Sequence, residues 1–297
     1  MTANSAEIFQ EVSFRDSSRF HDLVRAARNN PLGALFGVIC LLMLVIAVLG
    51  EFIAPHSATA IDAPRLQAPS WSYPFGTDNL FRDQFSRVLI GARISLGIGF
   101  GSVALSTALG VFLGVTSGYQ GGWWDMVVSR LIDLLIAFPP VVFLIFFLTI
   151  LPPDFWTVCI SIGLVLTPGT TRVVRSATIA VRNLQFIEAA VSTGCSPVRI
   201  MVHHIMPNVT AAIIVMASVQ IGTAILAEAT ISFLGLGVTD ASHPSWGRML
   251  QESRQFWREA WWMAVMPGLA LSLAVLSFNL FGDALRDALD PRLRGSR

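Results

Sequence analysis

QFIEAAVSTGCSPVRIMVHHIMPN, residues Gln185 to Asn208, is a polar interruption between two apolar runs, each long enough to cross a bilayer. Glu188, Ala189 and Ala190 are sound helix formers, so the stretch predicts a short helix over Gln185–Thr193. Gly194 is its stop, because glycine takes the left-handed conformation at a helix C-terminus without steric cost. Ser196 and Pro197 read as the N-cap and first position of a second helix, and Pro207 stands where the next span begins. The expected shape is a helix–turn–helix projecting from one membrane face, suited to docking on another protein.

Composition supports a membrane setting. Of 297 residues, 54% are hydrophobic and only 13% charged, about half the usual charge fraction of a soluble domain. A net charge of +1 makes no case for nucleic acid. All 20 basic residues are arginine. A phosphate-binding loop of the Walker A type needs its lysine, so the chain carries no standard one, and a lysine Schiff base is excluded. Cys40, Cys159 and Cys195 lack metal or redox spacing. His203 and His204 are adjacent and so point apart on a helix. No metal or cofactor is expected on this chain.

Six spans are expected, in an all-α integral membrane protein. Residues 1–30 carry an apolar stripe of Ile8, Phe9, Val12, Phe20, Leu23 and Val24 among arginines, which reads as an interfacial helix rather than a signal peptide. The first span occupies 31–54 and is followed by a polar connection over 55–92. There Gly76-Thr77-Asp78 reads as a turn leading into a capped helix, with Arg82, Asp83 and Arg87 on its polar face. The second span covers about 95–117 and contains Gly97-x3-Gly101 and Gly110-x3-Gly114, spacings that let helices approach closely in lipid. The third ends near Leu151. The fourth covers about 156–174, with a kink or break expected at Pro168-Gly169. The fifth covers about 209–231 and the sixth about 261–281. Six spans put both termini on one side. With the organising loop on that side too, 13 arginines lie inside and 7 outside, so the positive-inside rule makes it cytoplasmic.

Glu188-Ala189-Ala190, three residues, Gly194, then Ile205-Met206-Pro207 resembles the EAA loop of bacterial ABC importer permeases. His204 and Met206 depart from the general pattern, but His-Ile-x-Pro-Asn is a familiar form in the dipeptide/oligopeptide/nickel branch. Pro74-Phe75-Gly76-Thr77-Asp78 through Leu96 is similar to that branch's segment before the second span, except that Phe81 replaces the usual glycine before Arg82-Asp83. Gly118 to Pro139, Pro244 to Leu250 and Asn279 to Arg292 resemble further stretches of the same branch. The resemblance covers nearly everything from residue 30 onward. It implies a type I ABC importer permease of the second-permease type, with a five-helix core at 93–283, an EAA loop at 182–207 and a cytoplasmic tail at 284–297.

The resemblance also implies partners: a second permease in a heterodimer, one or two ABC ATPase subunits, an extracytoplasmic solute-binding protein, and the lipid bilayer of a bacterial inner membrane. ATP and magnesium would sit on the ATPases. This chain would be no enzyme. Its coupling residues would be Glu188, Ala189, Ala190, Gly194, Ser196, Pro197, Arg199 and Pro207. Asp133 and Glu228 are candidate pathway or gate residues; paired structural carboxylates explain them as well, Asp133 with Arg130 at i,i+3 and Glu228 with an outer-loop arginine. Peptides are the expected cargo, with nickel, glutathione or another small solute as alternatives. A proton-coupled secondary transporter is the rival class, and it leaves the polar helix–turn–helix unexplained. An intramembrane enzyme has no Ser/His or His-Glu-x-x-His arrangement in the spans to support it.

Overall fold

The computed structural model describes residues 30–238 and 242–289. The interfacial helix expected before residue 30 lies outside that range. Ten helices follow in order: α1 Pro31–Ile53, α2 Gln84–Gln120, α3 Gly122–Ala137, α4 Pro140–Ile150, α5 Phe155–Arg182, α6 Gln185–Ser192, α7 Pro197–Arg199, α8 Met206–Phe233, α9 Trp246–Ser253 and α10 Trp262–Leu289. A π-helical turn, Ile200–Ile205, joins α7 to α8. Five segments are long and apolar enough to cross a bilayer: α1, α2, α5, the run Pro197–Phe233 and α10. Counted as one broken span, the bent pair α3 and α4 makes a sixth.

That pair occupies the place of the third expected span, the one ending near Leu151. It is broken, with its halves at 88°. Phe138 and Pro139 each precede a proline, which disfavours the α region, and both are extended, with ψ 131°. Pro168 behaves oppositely: α5 runs straight through it. The Thr167 hydroxyl donates to the Gly163 carbonyl at 2.8 Å, Thr171 to Thr167 at 2.9 Å, and Gln220 Nε2 to Leu166 at 3.1 Å. Local donors thus bond the carbonyls around the gap left by the missing N–H.

The second span also differs from its expected form. The amphipathic helix and the span are one rod of 37 residues. Asp83 is its N-cap, accepting from the N–H groups of Phe85 and Ser86 at 3.2 and 3.1 Å. The connection therefore ends at residue 83 rather than 92, and α10 continues past 283. Residues 54–83 fold back on themselves, with Gly76 at φ +71° in the turn and a lone bridge between Thr77 and Asp83. Leu66 N–H and Thr77 N–H bond the Asp78 and Gln67 carbonyls at 3.1 and 3.0 Å.

The glycines of α2 make a run of close contacts with α5. A Cβ on Gly110 would stand 2.6 Å from Thr170, on Gly114 2.8 Å from Val174, and on Gly118 2.9 Å from the Arg175 carbonyl. These three lie four residues apart on one face, so α5 seats directly on the α2 backbone. Gly99 does the same toward Ile225 of α8, at 2.8 Å. Mid-bundle, Ser106, Thr170 and Gln220 tie α2, α5 and α8: the two hydroxyls bond each other at 3.0 Å and donate to Gln220 Oε1 at 3.3 and 3.1 Å. The peripheral α1 packs on α2 and α10; its far end meets α2 where Gly50 touches the Leu89 carbonyl, and Glu51 pairs with Arg93 at 3.1 Å. The start of α1 meets the end of α10 at Gly33 and Ala284. The start of α1, the end of α10 and the loop after α5 thus share one end of the bundle, here called the loop end.

Two expectations follow. Gly114→Leu should destabilise the fold by more than about 2 kcal/mol, since overpacking against rigid backbone has no outlet; the check is loss of the monodisperse peak and a lowered Tm in detergent. Phe81 has φ +63°, a region costing a side-chain-bearing residue about 1–2 kcal/mol. Phe81→Gly should therefore hold or raise Tm, whereas a fall of several degrees would show that the ring's packing outweighs the strain.

Candidate functional site

The loop end is built from short-range rules. Just past the end of α6, Gly194 is at φ +80°. Cys195 N–H reaches the Ala190 carbonyl at 3.1 Å and Gly194 N–H the Val191 carbonyl at 2.9 Å. This is the Schellman arrangement, and it turns the chain back sharply. Ser196 is extended and Pro197 opens α7, as expected, but the Ser196 hydroxyl makes no capping bond. The second arm is not a separate helix. It runs from α7 through the π-helical turn into α8. Pro207 supplies a reason: in an α-helix its ring would press on the carbonyl four residues back, and a wider turn relieves that. Asn208 Nδ2 then bonds the His204 carbonyl at 2.6 Å.

Ile187, Ala190, Ile200 and Ile205 point inward and form one apolar cluster with Val115 of α2, Val174 of α5 and Val209 of α8. The loop is therefore seated on three long helices at once. Its outward face carries Glu188, Ala189, Gly194, Ser196, Pro197, Arg199 and Pro207, all exposed; only Ala190 of the proposed coupling set is buried. Leu184, Phe186, Val191, Val198 and Val202 are exposed beside them. Apolar side chains displayed on a rigid polar loop are a contact surface in waiting. A Cβ at Gly194 would meet nothing within 4 Å, so only its backbone angle demands glycine.

The two candidate pathway carboxylates have different surroundings. Asp133 is half exposed on α3. It takes Arg172 Nη2 of α5 at 2.8 Å, while Arg130 stands at 3.8 Å. The partner named from i,i+3 spacing is thus the weaker one. Glu228 is fully buried and has no arginine partner among the described residues. Ser232 donates to it at 2.6 Å, Ser95 of α2 at 3.3 Å, and Ser245 adds a third hydroxyl. Asp133 and Glu228 belong to opposite ends of the bundle and form no common site.

Sequence reasoning missed the strongest ion pairs. Arg175 grips Asp125 with two bonds of 2.5 and 2.6 Å, fastening the start of α3 to α5. At the end opposite the loop, Arg82, Asp83 and Arg87 were expected on a solvated face, and all are buried. Arg82 Nε bonds Asp78 at 2.6 Å, and both Arg82 and Arg87 bond Glu252 of α9, at 2.9 and 2.8 Å. The Asp78/Arg82 spacing of four was a usable signal; the pairing with Glu252, 170 residues further on, was not.

Residues 110–295 match the family model described as binding-protein-dependent transport system inner membrane component. This chain belongs to that family of membrane permeases. Residues 18–69 match the N-terminal TM domain of oligopeptide transport permease C. The dipeptide transport system permease protein DppC of Alkalihalophilus pseudofirmus is 41% identical over 278 residues, covering 93% of this chain and 91% of the relative. The glutathione transport system permease protein GsiD of Escherichia coli is 40% identical over the same span and shares. Among solved structures, the inward-facing MetNI methionine ABC transporter aligns with a TM-score of 0.56 at 16% identity, covering 68% of this chain and 96% of that one. The fold is accordingly that of a type I ABC importer permease, and the protein is a multi-pass membrane permease of an ABC importer, not an enzyme. Membership implies an ATPase and a solute-binding protein as partners.

The geometry at Gly194 generates a sharp expectation. Gly194→Val should impair coupled transport through backbone strain of about 1–2 kcal/mol, while Gly194→Asn, which tolerates the left-handed region, should keep most of it. Equal loss in both variants would mean that the absence of a side chain, and not the turn, is what matters.

Proposed function

We propose that this permease is one of two different membrane subunits of a bacterial peptide importer, driven by ATP hydrolysed on separate subunits and coupled to them through Glu188–Arg199. The observation that supports coupling is the exposed apolar face of a loop whose inward face is seated on α2, α5 and α8. Closure of the ATPases would press on that face and tilt the three helices together, giving access alternately to either side. ATP and magnesium would remain on the ATPases.

The loop end is the cytoplasmic one in this reading, with both termini on that side. The arginine distribution, 13 inside against 7 outside, supports it. The setting is the inner membrane, and the solute-binding protein docks at the opposite end. Peptide cargo is supported by the names of the relatives, dipeptide and glutathione permeases; both solutes carry peptide amides and free carboxylates. Proton-driven uptake through Asp133 or Glu228 fits less well. The first is ion-paired on the surface and the second is closed off among hydroxyls.

The test is solute-stimulated ATPase activity of the complex co-purified with this chain, reconstituted with its binding protein and screened over dipeptides, longer peptides, glutathione and nickel chelates. Stimulation by peptides that disappears in Glu188→Arg, with membrane insertion intact, is the expected outcome. Uptake that survives ATP depletion and collapses with an uncoupler would overturn the coupling; stimulation by a nickel chelate alone would overturn the cargo.

A further inference from the structure

The short helix α9 closes the end of the bundle opposite the loop. It lies mainly on α8 and α10. Gly247 presses on Ala229 of α8, where a Cβ would stand 2.6 Å from the Ala229 Cα. Toward α2, Trp246 and Met249 share an apolar cluster with Val88, Ala92 and Leu96, and polar bonds flank it at the two ends of α9. At the first, Trp246 N–H donates to Ser95 Oγ at 3.0 Å and the indole Nε1–H to the Val88 carbonyl at 2.9 Å. Ser95 in turn donates to Glu228 of α8. At the second, Glu252 Oε2 accepts from Arg82 and from Arg87, and its other oxygen takes Arg248 at 3.4 Å.

The charged end is incompletely satisfied. Arg87 is 1% exposed, yet its Nε and Nη1 lack a hydrogen-bond acceptor, the latter standing 3.6 Å from Asp78. Gln84 Oε1, one helical turn away, is likewise buried without a donor. Buried groups without a protein partner weaken the hold of that end. Glu252 meets water, at 21% exposed, whereas Arg82 and Arg87 are buried, and it walls an open cleft of about 620 Å³ with Asn79, Gln251 and Gln255.

We propose that α9 is a latch on α2, with Glu252 as its catch: the Arg82–Glu252–Arg87 bonds hold that end shut, and their release lets α9 lift from α2. Glu252, reachable from the cleft, is where a docked partner can act. The proposal rests on the alternating-access reading above, and its first test needs neither ATP nor solute.

Val88 is buried beneath Trp246 and serves as the reporter. In the full complex in nanodiscs, carrying Cys195→Ser, Val88→Cys should react slowly with a water-soluble maleimide. Adding Glu252→Gln should speed the reaction about tenfold, a shift of roughly 1.4 kcal/mol in the opening equilibrium. An unchanged rate would overturn the latch even if ATP-coupled uptake is confirmed. Independently, Arg82→Cys with Glu252→Cys, bridged by a cleavable thiol cross-linker, should lower uptake about tenfold and recover on cleavage. Full uptake with the bridge in place would overturn it as well.

Discussion

Close contact between α2 and α5 is the constraint from which the rest of this permease hangs. In lipid there is no hydrophobic gain from pressing two apolar helices together, so association depends on packing and on polar bonds across the seam. Gly110, Gly114 and Gly118 supply the packing, because each leaves room for the α5 backbone where a side chain would stand. Ser106, Thr170 and Gln220 supply the polar bonds and bring in α8. Once α2 and α5 are fixed in register, Arg175 is placed to grip Asp125, the start of α3 is set, and the chain leaves α5 pointed into the loop.

Much of this was legible in the sequence, for a physical reason. The turn at Gly194, the start at Pro197 and the glycine spacing in α2 obey rules that operate within a few residues. What was not legible depends on distant partners. Arg82 and Arg87 carry the local pattern of a solvated helix face, and nothing within ten residues reveals that Glu252 buries them. The two prolines make the same point. Pro168 reads as a breaker, but Gln220 from another helix and two threonines bond the neighbouring carbonyls. The Pro139-Pro140 pair forces two successive residues out of the α region, and no side chain can restore that.

Phe81 is a departure of another sort. The family resemblance implies glycine there, and the backbone takes the angle that glycine takes freely, φ +63°. The surrounding loop, with Asp78 accepting from the N–H groups of Leu80 and Arg82 at 2.8 Å, holds the turn regardless of the side chain it contains. The strain is tolerated because the same Asp78 carboxylate also fixes the Arg82 guanidinium.

The two ends of the bundle differ in how many polar bonds supplement their apolar packing, and this bears on how motion crosses the molecule. At the loop end the contacts to the spans are apolar: Ile187, Ile200 and Ile205 are packed against Val115, Val174 and Val209. Such packing resists shear and carries displacement as a rigid connection, since a close-packed interior deforms little. The π-helical turn makes the arm continuous with α8, so a displacement of the loop is delivered along that helix rather than absorbed in a hinge. At the far end of α8 lie Glu228 and the polar ties of α9 to α2. Ion pairs and hydroxyl clusters exchange partners at small cost, so a rigid input at one end meets a breakable seam at the other. A bundle that was apolar at both ends would tilt as one block; one that was polar at both would lose the stroke in the loop.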